Sequence, residues 1–206
     1  MRIYAVADIH GKPEKLALVR EKTEGLRTDA LIVAGDITNY FNSADIVEQL
    51  NHMPVPVLAI RGNTDPEKVD RLLNDYPNTS SLHLKEHKIN GQKFVGVSGA
   101  MPVPFSSRIG LRQKSIIHTL ETLVDDSSVL VVHPPPRGVL DEAFGRFHAG
   151  CRRLYQLVVQ RQPRLVLCGH IHERQGIATI GQTTVVNCNI AQTGRGQWWI
   201  LIRKVH

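Results

Sequence analysis

Ile3-Tyr4-Ala5-Val6-Ala7-Asp8-Ile9-His10 sets a short apolar run against a polar Asp-x-His end, and the same grammar returns along the chain. Leu31-Ile32-Val33-Ala34-Gly35 leads to Asp36, Val129-Leu130-Val131-Val132 to His133, and Leu165-Val166-Leu167-Cys168-Gly169 to His170 and His172. Asn63 follows a further apolar run through Arg61-Gly62. Short apolar runs closed by turn residues read as buried strands, so Asp8, His10, Asp36, Asn63, His133, His170 and His172 should gather at one edge of a sheet. Singly, Asp8 or Asp36 reads as a turn former or helix cap. Jointly, hard carboxylate and amide oxygens mixed with imidazoles suit two divalent transition ions better than calcium or a thiolate-held zinc. That is the chemistry of a hydrolytic dinuclear site.

The 206 residues suffice for one sizeable domain with its own core, and no linker or repeat marks a boundary. Met1-Arg2-Ile3-Tyr4 leads into no long apolar stretch or small-residue cleavage site, and no membrane-length run follows, so a soluble cytoplasmic protein is expected. Three widely spaced cysteines argue against a disulfide framework, and Cys168 and Cys188 read as small buried hydrophobes. The net charge of +6 favours anionic substrates, yet the basic residues form no arm or stripe, so no specific nucleic-acid partner is expected.

Strands near 2-8, 29-35 and 55-61 alternate with helices near 13-26 and 43-51, which predicts a largely parallel layer. A helix opens at Pro66, with Asp65 as its cap. From about residue 80 hairpins take over: a strand 81-89, an Asn90-Gly91 turn and a strand 93-98. A Pro-rich loop at 101-108 precedes helices near 112-124 and 150-161, and strands near 128-132, 173-180, 183-188 and 197-203 complete the order. The pattern predicts an α/β fold of two packed sheets flanked by helices. Trp198 and Trp199 occupy adjacent strand positions, so one should pack inward. His52, His83, His87, His118 and His206 read as surface or partly packed residues.

The succession Asp8-Ile9-His10, Gly35-Asp36, Gly62-Asn63-Thr64-Asp65, His133 and Gly169-His170-Ile171-His172 resembles the calcineurin-like metallophosphoesterases from residue 8 to about 190. His133-Pro134-Pro135-Pro136-Arg137-Gly138, His148-Ala149-Gly150 and Pro163 to Glu173 look like a small prokaryotic branch related to cyclic-nucleotide phosphodiesterases. The resemblance implies a single domain over 1-206, built as a four-layer α/β/β/α sandwich of two mixed sheets. It places Asp8, His10 and His172 on one metal, Asn63, His133 and His170 on the other, and Asp36 between them. Extended Gly-His-Ile-His would put both imidazoles on one face.

By the same resemblance, a hydroxide bridging the two metals attacks a phosphate ester of small or nucleotide-like form, with Asn63 and Asp36 at the reacting group. Manganese is the expected metal, with iron, zinc or nickel as alternatives, because supply as well as affinity sets occupancy. The family often has His after the Asn, where this chain has Thr64, which cannot be a general acid near neutral pH. His148, read as lying in a loop that enters a helix, is the candidate replacement, although a surface or capping role fits it equally. Arg137 is either a phosphate contact or a solvated loop residue, and Arg61 reads as structural. Diesterase activity is preferred; the alternatives are a phosphomonoesterase and a non-catalytic protein-binding scaffold, as in a retromer subunit that resembles these enzymes. Oligomeric state is open.

Overall fold

The computed structural model describes residues 1-99, 110-145, 147-190 and 198-201, the last four and 110-114 by backbone only. The Pro-rich loop 101-108, His206 and the side chains of Trp198 and Trp199 lie outside the described residues.

Alternation along the strands explains the layering. In β1 (Arg2–Val6), Ile3 and Ala5 face one way while Tyr4 and Val6 face the other, and all four are fully buried. The first set joins Ala30, Ile32 and Ala34 of β2 (Ala30–Ala34) and Leu58 and Ile60 of β3 (Val57–Ile60) against a second sheet. The other set packs beneath α1 (Pro13–Gly25), α2 (Ser43–Asn51) and α3 (Lys68–Asp75) through Leu16, Val19, Val47, Leu50, Val69 and Leu73. Buried on both faces, these strands read as continuous apolar runs.

The first sheet has the order β13-β1-β2-β3-β4, parallel except for β13 (Trp198–Leu201), with β4 at Thr79–Ser81. Facing it are β11 (Gly176–Ile180), β12 (Thr183–Asn187), β10 (Leu165–Cys168), β7 (Val129–Val132), β6 (Gln92–Val97) and β5 (Glu86–Ile89), neighbours in that order. The central four are parallel and the two edges antiparallel. Helices α4 (Gly110–Leu123) and α5 (Arg152–Arg161) cover its outer face through Ile117, Leu120, Leu154 and Val158. The result is the four-layer α/β/β/α arrangement expected from the sequence.

Three local expectations are corrected. The run 81-89 is not one strand: Ser81 ends β4 in the first sheet, Leu84 turns at φ 52°, and β5 begins at Glu86 in the second. The segment after Ile171 is a 3₁₀ turn, His172–Arg174, with β11 starting only at Gly176. His148 lies not in a loop but on β9 (Phe147–His148), paired antiparallel with β8 (Glu142–Ala143).

The two sheets touch at their polar ends. Ala7, one residue past β1, bridges to Asn189 after β12, with Ala7 N–H donating to Cys188 O at 3.0 Å and Ile190 N–H to Ala7 O at 3.0 Å. The loops after β1, β2, β3, β7 and β10 therefore converge at this seam.

Candidate metal centre

The seven residues singled out by sequence meet there, and they divide into two groups. Asp8 Oδ1 lies 3.3 Å from His172 Nε2 and 3.9 Å from His10 Nε2. Asn63 Oδ1 lies 3.0 Å from His133 Nε2 and 2.9 Å from His170 Nδ1. The ring centroids follow the same pairing, His10 with His172 at 5.7 Å and His133 with His170 at 5.1 Å. Asp36 Oδ2 stands between, 3.4 Å from His133 Nε2 and 3.9 Å from His10 Nε2. Donor atoms of Asp8, His10 and His172, and of Asp8, Asp36 and His133, lie within 4.8 Å of one another.

His170 and His172 join opposite groups, which corrects the shared-face argument. His170 turns the chain at φ 69°, so Gly-His-Ile-His is not extended. The reversal sends one imidazole toward Asn63 and the other toward Asp8.

Glycine precedes Asp36, Asn63 and His170 because neighbouring site groups occupy the space of a side chain. A Cβ on Gly35 would lie 2.6 Å from the His133 ring, one on Gly62 would overlap the Asp36 carboxylate, and one on Gly169 would meet Ala7 and Asp8.

The donor set fits a cation. His133 is fully buried, and its Nδ1 faces the Ala34 carbonyl oxygen at 2.9 Å, so Nδ1–H donates there and Nε2 of the neutral ring keeps its lone pair. That lone pair looks at two further acceptors, the Asn63 amide oxygen and the Asp36 carboxylate. Such a convergence needs a positive charge, either a proton or a metal. Burial alone would push His133 down, but contact with Asp36 overcomes it and raises the ring to about 9. Asp36 is held well below the ordinary carboxylate range: burial would raise it, and His133, the Thr64 N–H and His10 outweigh burial. Burial holds His10 and His170 below the usual histidine value, whereas the hydrogen bond to Asp8 raises His172.

Several supporting residues were not legible as such. Lys15, buried in the first turn of α1, donates Nζ–H to the Asp8 carbonyl at 2.7 Å. Asp65 does not cap α3, whose N-cap is Glu67 without a side-chain bond. Its carboxylate instead accepts the N–H groups of Ile37, Thr38 and Gly62 and the Thr38 hydroxyl, at 2.7 to 3.0 Å, which locks the Asp36 loop to the Asn63 loop. Thr64 gives its N–H to Asp36 Oδ1 at 2.9 Å and its hydroxyl to the Thr38 carbonyl at 3.0 Å. Arg61 is structural as expected, paired with Asp70 at 2.8 Å. Arg137 Nη1 donates to the His148 carbonyl at 2.9 Å. Cys151, Cys168 and Cys188 are buried thiols.

Among solved structures, a dimetal phosphatase from Danio rerio superposes with a TM-score of 0.62 at 13% identity, over 91% of this chain and 86% of that one. An archaeal phosphodiesterase gives 0.57 at 16%, over 94% and 88%. An uncharacterised protein of Methanocaldococcus jannaschii is 30% identical over 91% of this chain and 87% of its own length. The chain spans only about half, 49%, of the human and mouse relatives it matches. Residues 1–195 match the calcineurin-like phosphoesterase superfamily domain, and the chain belongs to that family of hydrolases.

Proposed function

We propose that this chain is a single-domain, cytoplasmic phosphodiesterase working with two divalent cations, manganese foremost. The reading rests on one observation: the site divides into two imidazole pairs, each around one side-chain oxygen, with the Asp36 carboxylate between them. Asp8, His10 and His172 would hold one ion, Asn63, His133 and His170 the other, and Asp36 both. Bound there, the cations supply Lewis-acid charge to a phosphate ester and acidify water near neutral pH.

The chain's own residues set the rest. Nδ1 of His133, tied to Ala34, fixes the ring so that Nε2 addresses the site. Asp65 and Thr64 hold the Asp36 and Asn63 loops in one register, which lets both oxygens meet one substrate without reorganisation. The Thr64 hydroxyl is committed to Thr38, so position 64 contributes no proton donor. Protonation of the leaving oxygen therefore falls to a group elsewhere in the site or to water, and diesters with good leaving groups depend on it least.

With manganese present, purified protein should hydrolyse bis-aryl diesters faster than aryl monoesters, and the reverse ranking would make it a phosphomonoesterase. Asp36→Ala and His133→Ala should lose metal and turnover while circular dichroism is retained. Protein that binds no metal and turns over neither class would instead be a scaffold on this fold.

A further inference from the structure

Outside the seven-residue cluster lies a second pair of groups, on the β8-β9 hairpin. The segment leaving His133 is clamped to that hairpin's far end: Pro136 bridges to Cys151, Cys151 N–H donates to Pro135 O at 2.9 Å, and Arg137 N–H donates to Cys151 O at 3.2 Å. On its other side β8 packs on the 3₁₀ turn that begins at His172, where Glu142 pairs with Arg174. His148 stands opposite Glu142 in the hairpin register. It is thus carried between the segments that follow His133 and His172.

The ring is oriented as well as placed. His148 Nδ1 lies 2.7 Å from Asp141 Oδ1, and the Asp141 side chain is 1% exposed against 49% for His148. The second Asp141 oxygen accepts the Gly150 N–H at 3.0 Å, while Arg137 holds the His148 carbonyl. Among the described residues Nε2 has no hydrogen-bond partner. A buried carboxylate committed on both oxygens thus fixes one ring nitrogen and leaves the other open, which suits proton transfer better than packing.

We infer that His148 supplies the proton taken up by the leaving oxygen, with Asp141 as its positioning residue. The inference rests on the phosphoester-hydrolase reading and fills the role that Thr64 cannot. Water attacks phosphorus and gives up one proton to solvent as its oxygen bonds, and the P–O bond to the leaving group breaks with its electron pair passing to that oxygen. The oxygen takes the proton from His148 Nε2, leaving a neutral ring whose Nδ1–H still donates to Asp141, and solvent restores the proton.

The test is a series of methyl aryl phosphates running from 4-nitrophenol to phenol as leaving group, assayed with manganese. Wild type should decline shallowly along the series. His148→Ala should lose about 100-fold on the phenol ester and only a few-fold on the nitrophenol ester, the range expected of general acid catalysis. Asp141→Asn, which keeps an oxygen for Gly150, should steepen the series in the same direction. Ring nitrogen NMR of metal-free protein gives a readout apart from activity: neutral His148 should be the Nδ1–H tautomer, and Asp141→Asn should lose it. An equal loss along the whole series, or an Nε2–H tautomer in wild type, overturns the inference and leaves the metal reading intact. Failure of wild type on every diester overturns both.

Discussion

Chelated protein should lose stability as pH rises from about 6.5 to 9, and the His133–Asp36 pair sets the size of the loss. The His133 ring is fully buried and raised to about 9 by Asp36, from an ordinary value of 6.5 in the unfolded chain. A group raised on folding stabilises fully below its unfolded value and stops doing so as pH climbs through its folded value. The gap between 6.5 and about 9 corresponds to about 3 kcal/mol. For a chain of this size that is a fall in Tm of roughly 6 to 12 °C. The assay is thermal unfolding in chelator at half-unit steps of pH, with wild type read against Asp36→Asn so that the titration of the three cysteines, common to both, cancels. Asp36→Asn removes the main charge that raises His133, so its profile should be much shallower than that of wild type across this window. Saturating manganese should flatten it too, because metal and proton compete for the same Nε2. Wild type flat in chelator, or Asp36→Asn sloping as steeply as wild type, would refute the argument that unbalanced acceptors meet at this nitrogen.

Asp65→Ala strands three backbone N–H groups in a buried place and should cost about 3 kcal/mol or more in a denaturant titration, with weaker metal binding in calorimetry. Gly62→Ala forces a methyl group onto the Asp36 carboxylate; metal affinity should fall at least tenfold, read by calorimetry, with secondary structure unchanged by circular dichroism. Lys15→Met leaves the Asp8 carbonyl without its donor and should lower stability by about 1 to 3 kcal/mol, measured by chemical unfolding.

The loops that carry the grouped residues were legible because each closes an apolar strand, and strands buried on both faces leave an unmistakable run of Val, Leu, Ile and Ala. The supports were not. Asp65 precedes a proline and a helix, where capping is the ordinary reading, and three of its four bonds reach Ile37 and Thr38, more than 25 residues back, which local pattern cannot reveal. Lys15 looked like one cation among 25 on a helix, and only tertiary packing turns it inward. The reversal at His170 was hidden for a different reason. A histidine at φ 69° has no signature of its own, and the preceding Gly169 proves to be required by the crowding of Ala7 and Asp8 rather than by the turn.

Strain at the site completes the physical case for a bound cation. Asp8, His10, Asp36 and His170 sit at φ 63°, 55°, 51° and 69°, so four of the seven grouped residues adopt the left-handed region that side-chain-bearing residues disfavour. Each such residue costs on the order of 1 kcal/mol or more. To this is added a carboxylate and an amide oxygen facing the lone pair of a buried imidazole, an arrangement that repels in the neutral protein. A chain selected for stability alone would relieve these costs, for instance with an apolar residue at 133 and glycine at 36. Both costs fall on the same few loops, and Asp65, Thr64 and Lys15 hold those loops rather than relax them. Rigid, strained and acceptor-rich together describe a cradle that gains free energy only when positive charge enters, so metal binding should stiffen the loops at Asp8, Asp36 and Asn63 more than any other part of the fold.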